Sequence, residues 1–338
     1  MTRRTYEPKP LFIERMKELL GKDFENYMKI LEKEPVRSFR CNTLKISPED
    51  LKKRLEEKGW KIKIPFKDYP EIMVVESELQ PGELGRALEH LLGFYYIQEI
   101  ASMLPPLVLN PKSGERVLDM CASPGSKTTQ MAARMENSGL LIANEMKIGR
   151  IKILAANTER CGVMNMIITK KDGIALCNRF KNENFLFDKI LLDAPCSGEG
   201  TIRSTPRTLE MWNIKTIENL SKLQKSLIAS AIEILKPNGE LVYSTCTHAP
   251  EENEEIINFA LKNFKVKVEK ISLPLKTLPG ITKFGEKEYL EDVKYSCRVY
   301  PQTANTEGFF IAKLRRDPNL KGRLSEGNRL GVLARKVK

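Results

Sequence analysis

Between residues 10 and 32 apolar side chains recur three and four positions apart, which predicts one or two amphipathic helices. SFRCNTLKI (38–46) reads as a strand, Pro48 and Glu49 open a helix over EDLKKRLEEKG, and WKIKIPF and EIMVV read as two further strands. These elements predict a small α+β unit. Beyond residue 110 short apolar runs alternate with helical stretches. ERVLDM (115–120), GLLIANE (139–145), MNMIIT (164–169), FDKILLDAP (187–195) and GELVYSTC (239–246) predict strands; SKTTQMAARM (126–135), KIGRIKILAANTERCG (147–162) and residues 214–235 predict helices. That alternation is the signature of an α/β fold with a parallel sheet covered on both faces. Pro237, Asn238 and Gly239 close the long helix, and the helix after the fifth strand starts near Pro250. Its first turns carry Glu251, Glu252, Glu254 and Glu255, where the positive end of the helix dipole favours acids. GFFIAKL (308–314) predicts a late strand closing the edge of the sheet. The expected organisation is an α+β domain with a lead-in helix over 1–110, a sheet domain over 111–315 and a basic tail over 316–338.

Composition narrows the classes. The chain of 338 residues is 41% hydrophobic and 30% charged with the two kinds interspersed, which excludes global disorder and a disulfide scaffold. Its 56 Lys and Arg against 44 Asp and Glu leave +12, an excess that attracts polyanions. Residues 311–338 hold 9 basic and 2 acidic side chains, so much of the excess is C-terminal. No run approaches the roughly 18 apolar residues of a membrane span, and MTRRTYEPKP lacks the apolar core of a signal peptide. A cytoplasmic or nuclear protein, cytoplasmic first, with no membrane association is expected. The seven cysteines (41, 121, 161, 177, 196, 246, 297) form no CxxC pair, so neither a disulfide framework nor a metal site is expected.

In an open parallel sheet ligands collect at the carboxyl ends of the strands. The unusual residues fall there in succession: CASPGSK (121–127), Glu145, Asp172, DAPCSGEGT (193–201), and Cys246 with Thr247 and His248. The first loop has one glycine, Gly125, and lacks both the GxGxxG of a dinucleotide site and the GxxxxGK[ST] of a P-loop. Glu145 stands where an acid can accept hydrogen bonds from ribose hydroxyls. Together these features suit an adenosine-type cofactor without phosphates.

VLDMCASPGSKTTQMA, LLDAPCSGEGT and VYSTCTHAPEENE, in this order, resemble the Nol1/Nop2/Sun family of S-adenosylmethionine-dependent RNA cytosine-C5 methyltransferases. RSFRCNTLK (37–45), GFYYIQEIASML (93–104) and EGFFIAKL (307–314) extend the resemblance to about residues 35–314. The chain departs from the family at Gln302, where a histidine commonly follows the proline. The resemblance implies a Rossmann-like class I methyltransferase sheet preceded by an α+β unit similar to an RNA-recognition fold. It implies that Cys246 is the thiol adding to C6 of cytosine, that Cys196 resolves the adduct, and that Asp193 pairs with N3 and the exocyclic amine. Lys127 would stand beside cofactor and base. C5 of cytosine is a poor nucleophile until a thiolate adds to C6, so this chemistry calls for a cysteine. For S-adenosylmethionine the resemblance implies contacts from Cys121, Ala122, Ser123, Pro124, Gly125, Ser126 and Lys127, from Glu145 and Asp172, and from Asp193; Arg150 is a further candidate. No metal is implied.

Either cysteine alone fits a structural thiol. DNA enzymes of similar chemistry place the attacking thiol in a Pro-Cys motif after the fourth strand and lack the Thr-Cys motif, so having both favours RNA, with tRNA ahead of rRNA. A non-catalytic RNA-binding or assembly factor is the alternative from another class. A Cys-His hydrolase at Cys246 and His248 lacks an orienting third group, and His248 is expected to be a loop residue. The RNA grip is expected from Arg37, Phe39, Arg40 and Lys45, from the segment Arg203 to Arg207, and from the tail. The protein is expected to act as a monomer.

Overall fold

The computed structural model describes residues 6–320; most of the basic tail, residues 321–338, lies outside the described residues. The lead-in forms α1 (Pro10–Leu20) and α2 (Phe24–Leu31). There follow β1 (Ser38–Cys41), α3 (Pro48–Glu56), β2 (Ile62–Lys63), β3 (Ile72–Val75), the short α4 (Glu83–Arg86) and α5 (Leu88–Leu91), and β4 (Tyr95–Ile97). The strands make an antiparallel sheet in the order β2-β3-β1-β4. Leu51 and Leu55 of α3 pack on Phe39, Met73 and Tyr95. Ser47 caps α3 by accepting the Asp50 N–H at 3.1 Å, and Pro48 sits where no donor is needed. The first strand is shorter than the sequence suggests, because Asn42 donates to the carbonyls of Gly93 and Cys161 at 2.8 Å each and the chain turns over residues 43–45.

The second unit runs through α6 (Ile100–Leu109), β5 (Arg116–Asp119), α7 (Ser126–Arg134), β6 (Leu140–Asn144), α8 (Ile148–Cys161), β7 (Met166–Thr169), α9 (Gly173–Asn182) and β8 (Phe187–Asp193). It continues with α10 (Arg207–Met211), α11 (Ile214–Glu233), β9 (Leu235–Thr245), α12 (Glu254–Asn263), β10 (Val266–Glu269), β11 (Leu278–Pro279), the hairpin β12 (Lys283–Phe284) and β13 (Lys287–Glu288), β14 (Cys297–Val299), α13 (Pro301–Ala304) and β15 (Phe309–Arg316). The five strands expected from the sequence are parallel in the order β7-β6-β5-β8-β9. Alternation along them divides the core: Leu191, Val242 and Ile311 face α6, whereas Leu192, Tyr243 and Phe310 face α11 and α12.

The late strand does not close the edge. β15 lies inside the sheet, antiparallel to β9 on one side and to β14 and β10 on the other. Phe309, Phe310, Ile311 and Ala312 are all buried, the pattern of a strand covered on both faces rather than an amphipathic edge. α1 and α2, contiguous in sequence with the N-terminal unit, pack instead on the sheet domain, where Phe12, Met16 and Tyr27 meet Ile202, Leu209 and Trp212.

Candidate active site

The five loops singled out in the sequence meet at the carboxyl edge of the parallel strands. In the first, Gly125 has φ +104°, and a Cβ there would stand 3.1 Å from Leu154, so the left-handed turn into α7 needs glycine. Ala122 N–H donates to Asn144 O at 2.9 Å, tying this loop to the end of β6. Ser123 and Arg150 clasp it from the side: the Ser123 hydroxyl donates to Arg150 O at 2.9 Å and the Arg150 guanidinium donates to Ser123 O at 2.6 Å. Arg150 also pairs with Glu145 at 3.1 Å, and Glu145 accepts the Lys147 N–H at 2.8 Å. Asp172 caps α9 by accepting the Ala175 N–H at 3.0 Å. Cys121, Ser123, Glu145, Arg150 and Asp172 line a cavity of about 400 Å³ that also reaches Asp193, Cys196 and Cys246. Met146 and Leu223, which present 55% and 38% of their surface to solvent, form part of its wall. An acid placed for hydroxyls and exposed apolar side chains placed for a flat ring fit an adenosine-type group. Ala122, Pro124, Gly125 and Ser126 shape the turn without lining the cavity.

A second cavity of about 400 Å³ opens between the N-terminal unit and the sheet, and the two share Asp193, Ala194 and Cys246 as common wall. At that wall Lys127 Nζ donates to Asp193 at 2.8 Å and to the Ser102 hydroxyl at 3.0 Å, with Nζ 5.2 Å from the centre of the Phe309 ring. The other Asp193 oxygen accepts from the Ser244 hydroxyl at 2.7 Å. Cys196 and Cys246 face each other with their sulfurs 3.3 Å apart, and all seven cysteines are free thiols. Its hydrogen bond to Cys246 and then its burial hold the Cys196 thiol well above its ordinary pKa.

The Pro-Cys-Ser-Gly turn is fixed from beneath by Glu252. This carboxyl, buried on α12's lead-in, accepts the Ser197 N–H at 3.1 Å, the Ser197 hydroxyl and the Gln224 amide at 2.8 Å. Burial pushes its pKa up to about 7 against the pull of Ser197 and Gln224. Gly200 N–H donates to Cys246 O at 2.9 Å, and a Cβ on Gly200 would lie 2.2 Å from Gly308 O. Ser102, Ser244 and Gln224 were not singled out in the sequence, and Glu252 only as one of the acids at a helix start. Ser244 lies inside the VYSTC strand and Ser102 inside GFYYIQEIASML, where motif membership was the available signal.

His248 is in a loop but fully buried, stacked on Tyr300 at 4.9 Å, with Nε2 unpartnered. Burial, then Arg298, lowers its pKa to about 3, so it is a neutral packing residue. Phe39 and Arg40 are not on the surface either. Phe39 lies in the N-terminal core, and Arg40 donates to Ser126 O at 2.7 Å and Thr129 at 2.8 Å, fastening β1 to α7. Arg203 is buried and donates to Glu34 O at 2.7 Å. Arg37, Lys45 and Arg207 remain exposed. Gln302 donates to Asp23 at 2.8 Å, bridging α13 to the lead-in helices. Among the described residues no cluster of His, Cys, Asp and Glu is arranged to hold a metal ion, and no helix is long and apolar enough to cross a membrane.

Comparison with known proteins meets this geometry from the other side. The family profile for the 16S rRNA methyltransferase RsmB/F matches residues 106–315, and that for the N-terminal domain of RsmF matches residues 9–100. The chain is 43% identical over 312 residues to the tRNA (cytosine(49)-C(5))-methyltransferase of Pyrococcus abyssi, covering 90% of this chain and 98% of that protein. It is 38% identical to the ribosomal RNA small subunit methyltransferase F of Vibrio parahaemolyticus, of whose length it spans 62%. A methyltransferase homologue from Pyrococcus horikoshii superposes with TM-score 0.80 at 40% identity, covering 91% of this chain and 95% of that one. NSun6 from the same organism, solved with the S-adenosylmethionine analogue SFG, superposes with TM-score 0.76 at 27% identity, covering 91% of this chain and 98% of that one. Two matching profiles, a near full-length relative and a shared fold agree with the paired cysteine motifs, and the chain belongs to the RsmB/F (Sun/NOP2) family of S-adenosylmethionine-dependent RNA cytosine-C5 methyltransferases.

Proposed function

We propose that this protein methylates C5 of a cytidine in tRNA, with Cys246 as nucleophile, Cys196 as the thiol that resolves the adduct, and S-adenosylmethionine bound in the cavity between Glu145, Asp172 and Asp193. The observation that carries the reading is the shared wall: a base entering from the N-terminal side and a methyl donor entering from the sheet side meet at Asp193, Ala194 and Cys246. S-adenosylmethionine supplies an electrophilic sulfonium methyl group. Cys246 adds its thiolate to C6, the C5–C6 π pair moves into the ring, and C5 becomes electron-rich enough to take the methyl. Cys196 stands with its sulfur 3.3 Å from that of Cys246, within reach of the adduct. Transfer releases S-adenosylhomocysteine; Cys196, deprotonated once Cys246 is tied up in the adduct, then takes the C5 proton, the C5–H pair re-forms the C5–C6 double bond, the S–C6 bond breaks and the Cys246 thiolate leaves. Asp193, turned by Lys127 and Ser244, presents acceptor oxygens to the exocyclic amine. An intact helix hides C5 and C6, so the target is a loop residue or is flipped out.

The 43% identity across 98% of a tRNA methyltransferase supports tRNA. The RsmF relatives support rRNA as the second reading. A monomer working in the cytoplasm completes the proposal. Incubation with labelled S-adenosylmethionine and either tRNA or rRNA, followed by nucleoside analysis, tests it; absence of 5-methylcytidine from both would refute it. Cys246→Ala is expected to abolish methylation, whereas Cys196→Ala should accumulate a covalent protein–RNA complex on denaturing gels. Accumulation in Cys246→Ala would reverse the two roles.

A further inference from the structure

The reaction needs two sulfurs at a fixed spacing, and the strand ladder stops short of both. β8 and β9 run in register as far as Asp193 opposite Ser244, and the last rung is the Ala194 N–H donating to Ser244 O at 2.9 Å. The two loops next meet along the backbone where the Gly200 N–H reaches Cys246 O. Between those points Cys196 and Ser197 on one loop face Cys246 and Thr247 on the other through their side chains. The sulfurs are 3.3 Å apart, and one residue further on the Ser197 and Thr247 hydroxyls are 2.8 Å apart. Both loops are braced from the lead-in to α12. Glu252 accepts the Ser197 hydroxyl and, at 3.1 Å, the Ser197 N–H. Its neighbour Asn253 takes the other loop, accepting the Thr245 hydroxyl at 2.5 Å and donating to Thr247 O at 3.0 Å. Thr247, Glu252 and Asn253 are all buried.

The direction of the hydroxyl contact follows from the acid. The Ser197 N–H, the Ser197 hydroxyl and the Gln224 amide converge on Glu252, so Ser197 spends its proton there and Thr247 donates across the gap to Ser197. Thr247 Oγ1 also stands 3.2 Å from Glu199, the longer of its two contacts, and Glu199 is already served by the Trp212 indole at 2.7 Å. In the adduct Cys246 is bonded to C6, and the proton that Cys196 must take sits on C5, the adjacent ring carbon. The two sulfurs therefore work side by side, and the distance between them decides whether that proton is within reach. Addition and methyl transfer use Cys246 and the cofactor; resolution uses both thiols. We propose that the Ser197 and Thr247 hydroxyls, braced by Glu252 and Asn253, form a clasp that holds Cys196 against Cys246 and sets the rate at which the covalent adduct is resolved. Both are positioning residues, since the atoms that react are the two sulfurs. With the clasp closed, Cys196 takes the C5 proton, the C5–H pair re-forms the double bond, the S–C6 bond breaks and the Cys246 thiolate leaves. With it open, the methylated RNA stays bonded to Cys246.

This assignment rests on the cytidine methylation proposed above and on the roles given there to the two thiols. The test compares wild type, Thr247→Val, Thr247→Ser, Ser197→Ala and the Ser197→Ala/Thr247→Val double variant on unmodified tRNA and rRNA transcripts with labelled S-adenosylmethionine, with thermal melts alongside. Valine keeps the shape of threonine and removes the hydroxyl. Single-turnover methylation by Thr247→Val and Ser197→Ala should fall by no more than about threefold, whereas their steady-state kcat should fall about tenfold, the scale of one lost hydrogen bond. Both should accumulate a covalent protein–RNA complex on denaturing gels. Thr247→Ser should recover most of kcat, and the double variant should be no slower than the slower single one, because both changes open the same contact. Equal losses in the two kinetic regimes, no accumulation of complex, a serine variant as impaired as the valine one, or additive losses in the double variant overturn the assignment. If Thr247→Val does not fold, Ser197→Ala decides by the same two readouts. Wild-type protein that forms no 5-methylcytidine overturns the methyltransferase reading and this assignment with it; active wild type with variants that resolve the adduct normally overturns the assignment alone.

Discussion

Asp193 has both oxygens committed before substrate arrives, one to the Lys127 ammonium and one to the Ser244 hydroxyl. Ser244 touches no reacting atom; it sets the angle at which Asp193 meets the base. Removing a hydrogen bond to a charged group typically costs about 1.5–3 kcal/mol. Ser244→Ala should therefore lower kcat at least about tenfold while KM for S-adenosylmethionine stays put, and Ser244→Thr, which restores the hydroxyl, should recover most of it. Steady-state kinetics of the three proteins read this directly, and a KM change equal to the kcat change would place Ser244 in binding. Cys246, Cys196, Asp193 and Lys127 were singled out in the sequence because their motifs follow strand ends and resemble the family's, and the folded chain brings the four together. Ser244 and Glu252 were not legible as site residues, because a serine inside a strand and an acid in an acidic helix start each have an ordinary explanation. Only the folded chain shows Glu252 under Ser197 rather than serving the dipole. Arg40 misled for a related reason: an arginine beside an aromatic suits a nucleic-acid surface, yet folding turns it inward.

That buried guanidinium is where the two units are fastened. Arg40 leaves β1, reaches the first turn of α7 at Ser126 O and Thr129, and also donates to Gln98. α7 begins at the residue before Lys127, so the contact that anchors the N-terminal sheet also steadies the helix that carries Lys127. Arg40→Met would strip several hydrogen bonds from buried acceptors, a loss of about 1–3 kcal/mol. The expected result is a lower urea midpoint together with faster amide exchange in residues 38–41 and 126–130. Exchange accelerated evenly across the chain would mean that Arg40 supports overall stability and not this junction. The parallel strands were legible as short apolar runs between helical patterns, since strand and helix periods are local properties of the chain. The place of β15 was not. A four-residue apolar run fits an edge or an interior strand equally, and the choice depends on β14, 10 residues upstream of β15's start, arriving on its far side. The docking of α1 and α2 on the sheet domain is likewise a long-range outcome, decided by Trp212 and Ile202 meeting Phe12, Met16 and Tyr27 across about 180 residues of chain.

On the scale of the molecule the +12 charge has to be reconciled with where cations are free. Many described basic side chains are committed: Arg40 and Arg298 are buried, Lys127 holds Asp193, and Arg315 pairs with Glu240 and Glu269. Around the base cavity Arg37 remains exposed, and Arg207 follows Arg203 on the same segment. So small a cluster leaves much of the phosphate attraction to come from elsewhere. Residues 318–338 carry six basic side chains against one acid. If they contact the RNA backbone, deleting them releases fewer counterions on binding, and each lost phosphate contact on a single strand lowers the slope of log K against log salt by about 0.7. The truncated protein should bind tRNA more weakly at about 0.1 M salt, with a slope reduced by about 3.5 units for a net loss of +5 charges. Affinity for S-adenosylmethionine should be unchanged, because Glu145, Asp172 and the CASPGSK loop lie wholly within the sheet domain. Titrations at several salt concentrations, with cofactor binding measured on the same protein, decide it. An unaltered slope would assign the recognition of phosphate to Arg37, Arg207 and the catalytic face, and would make the tail's charge a property of solubility rather than of binding.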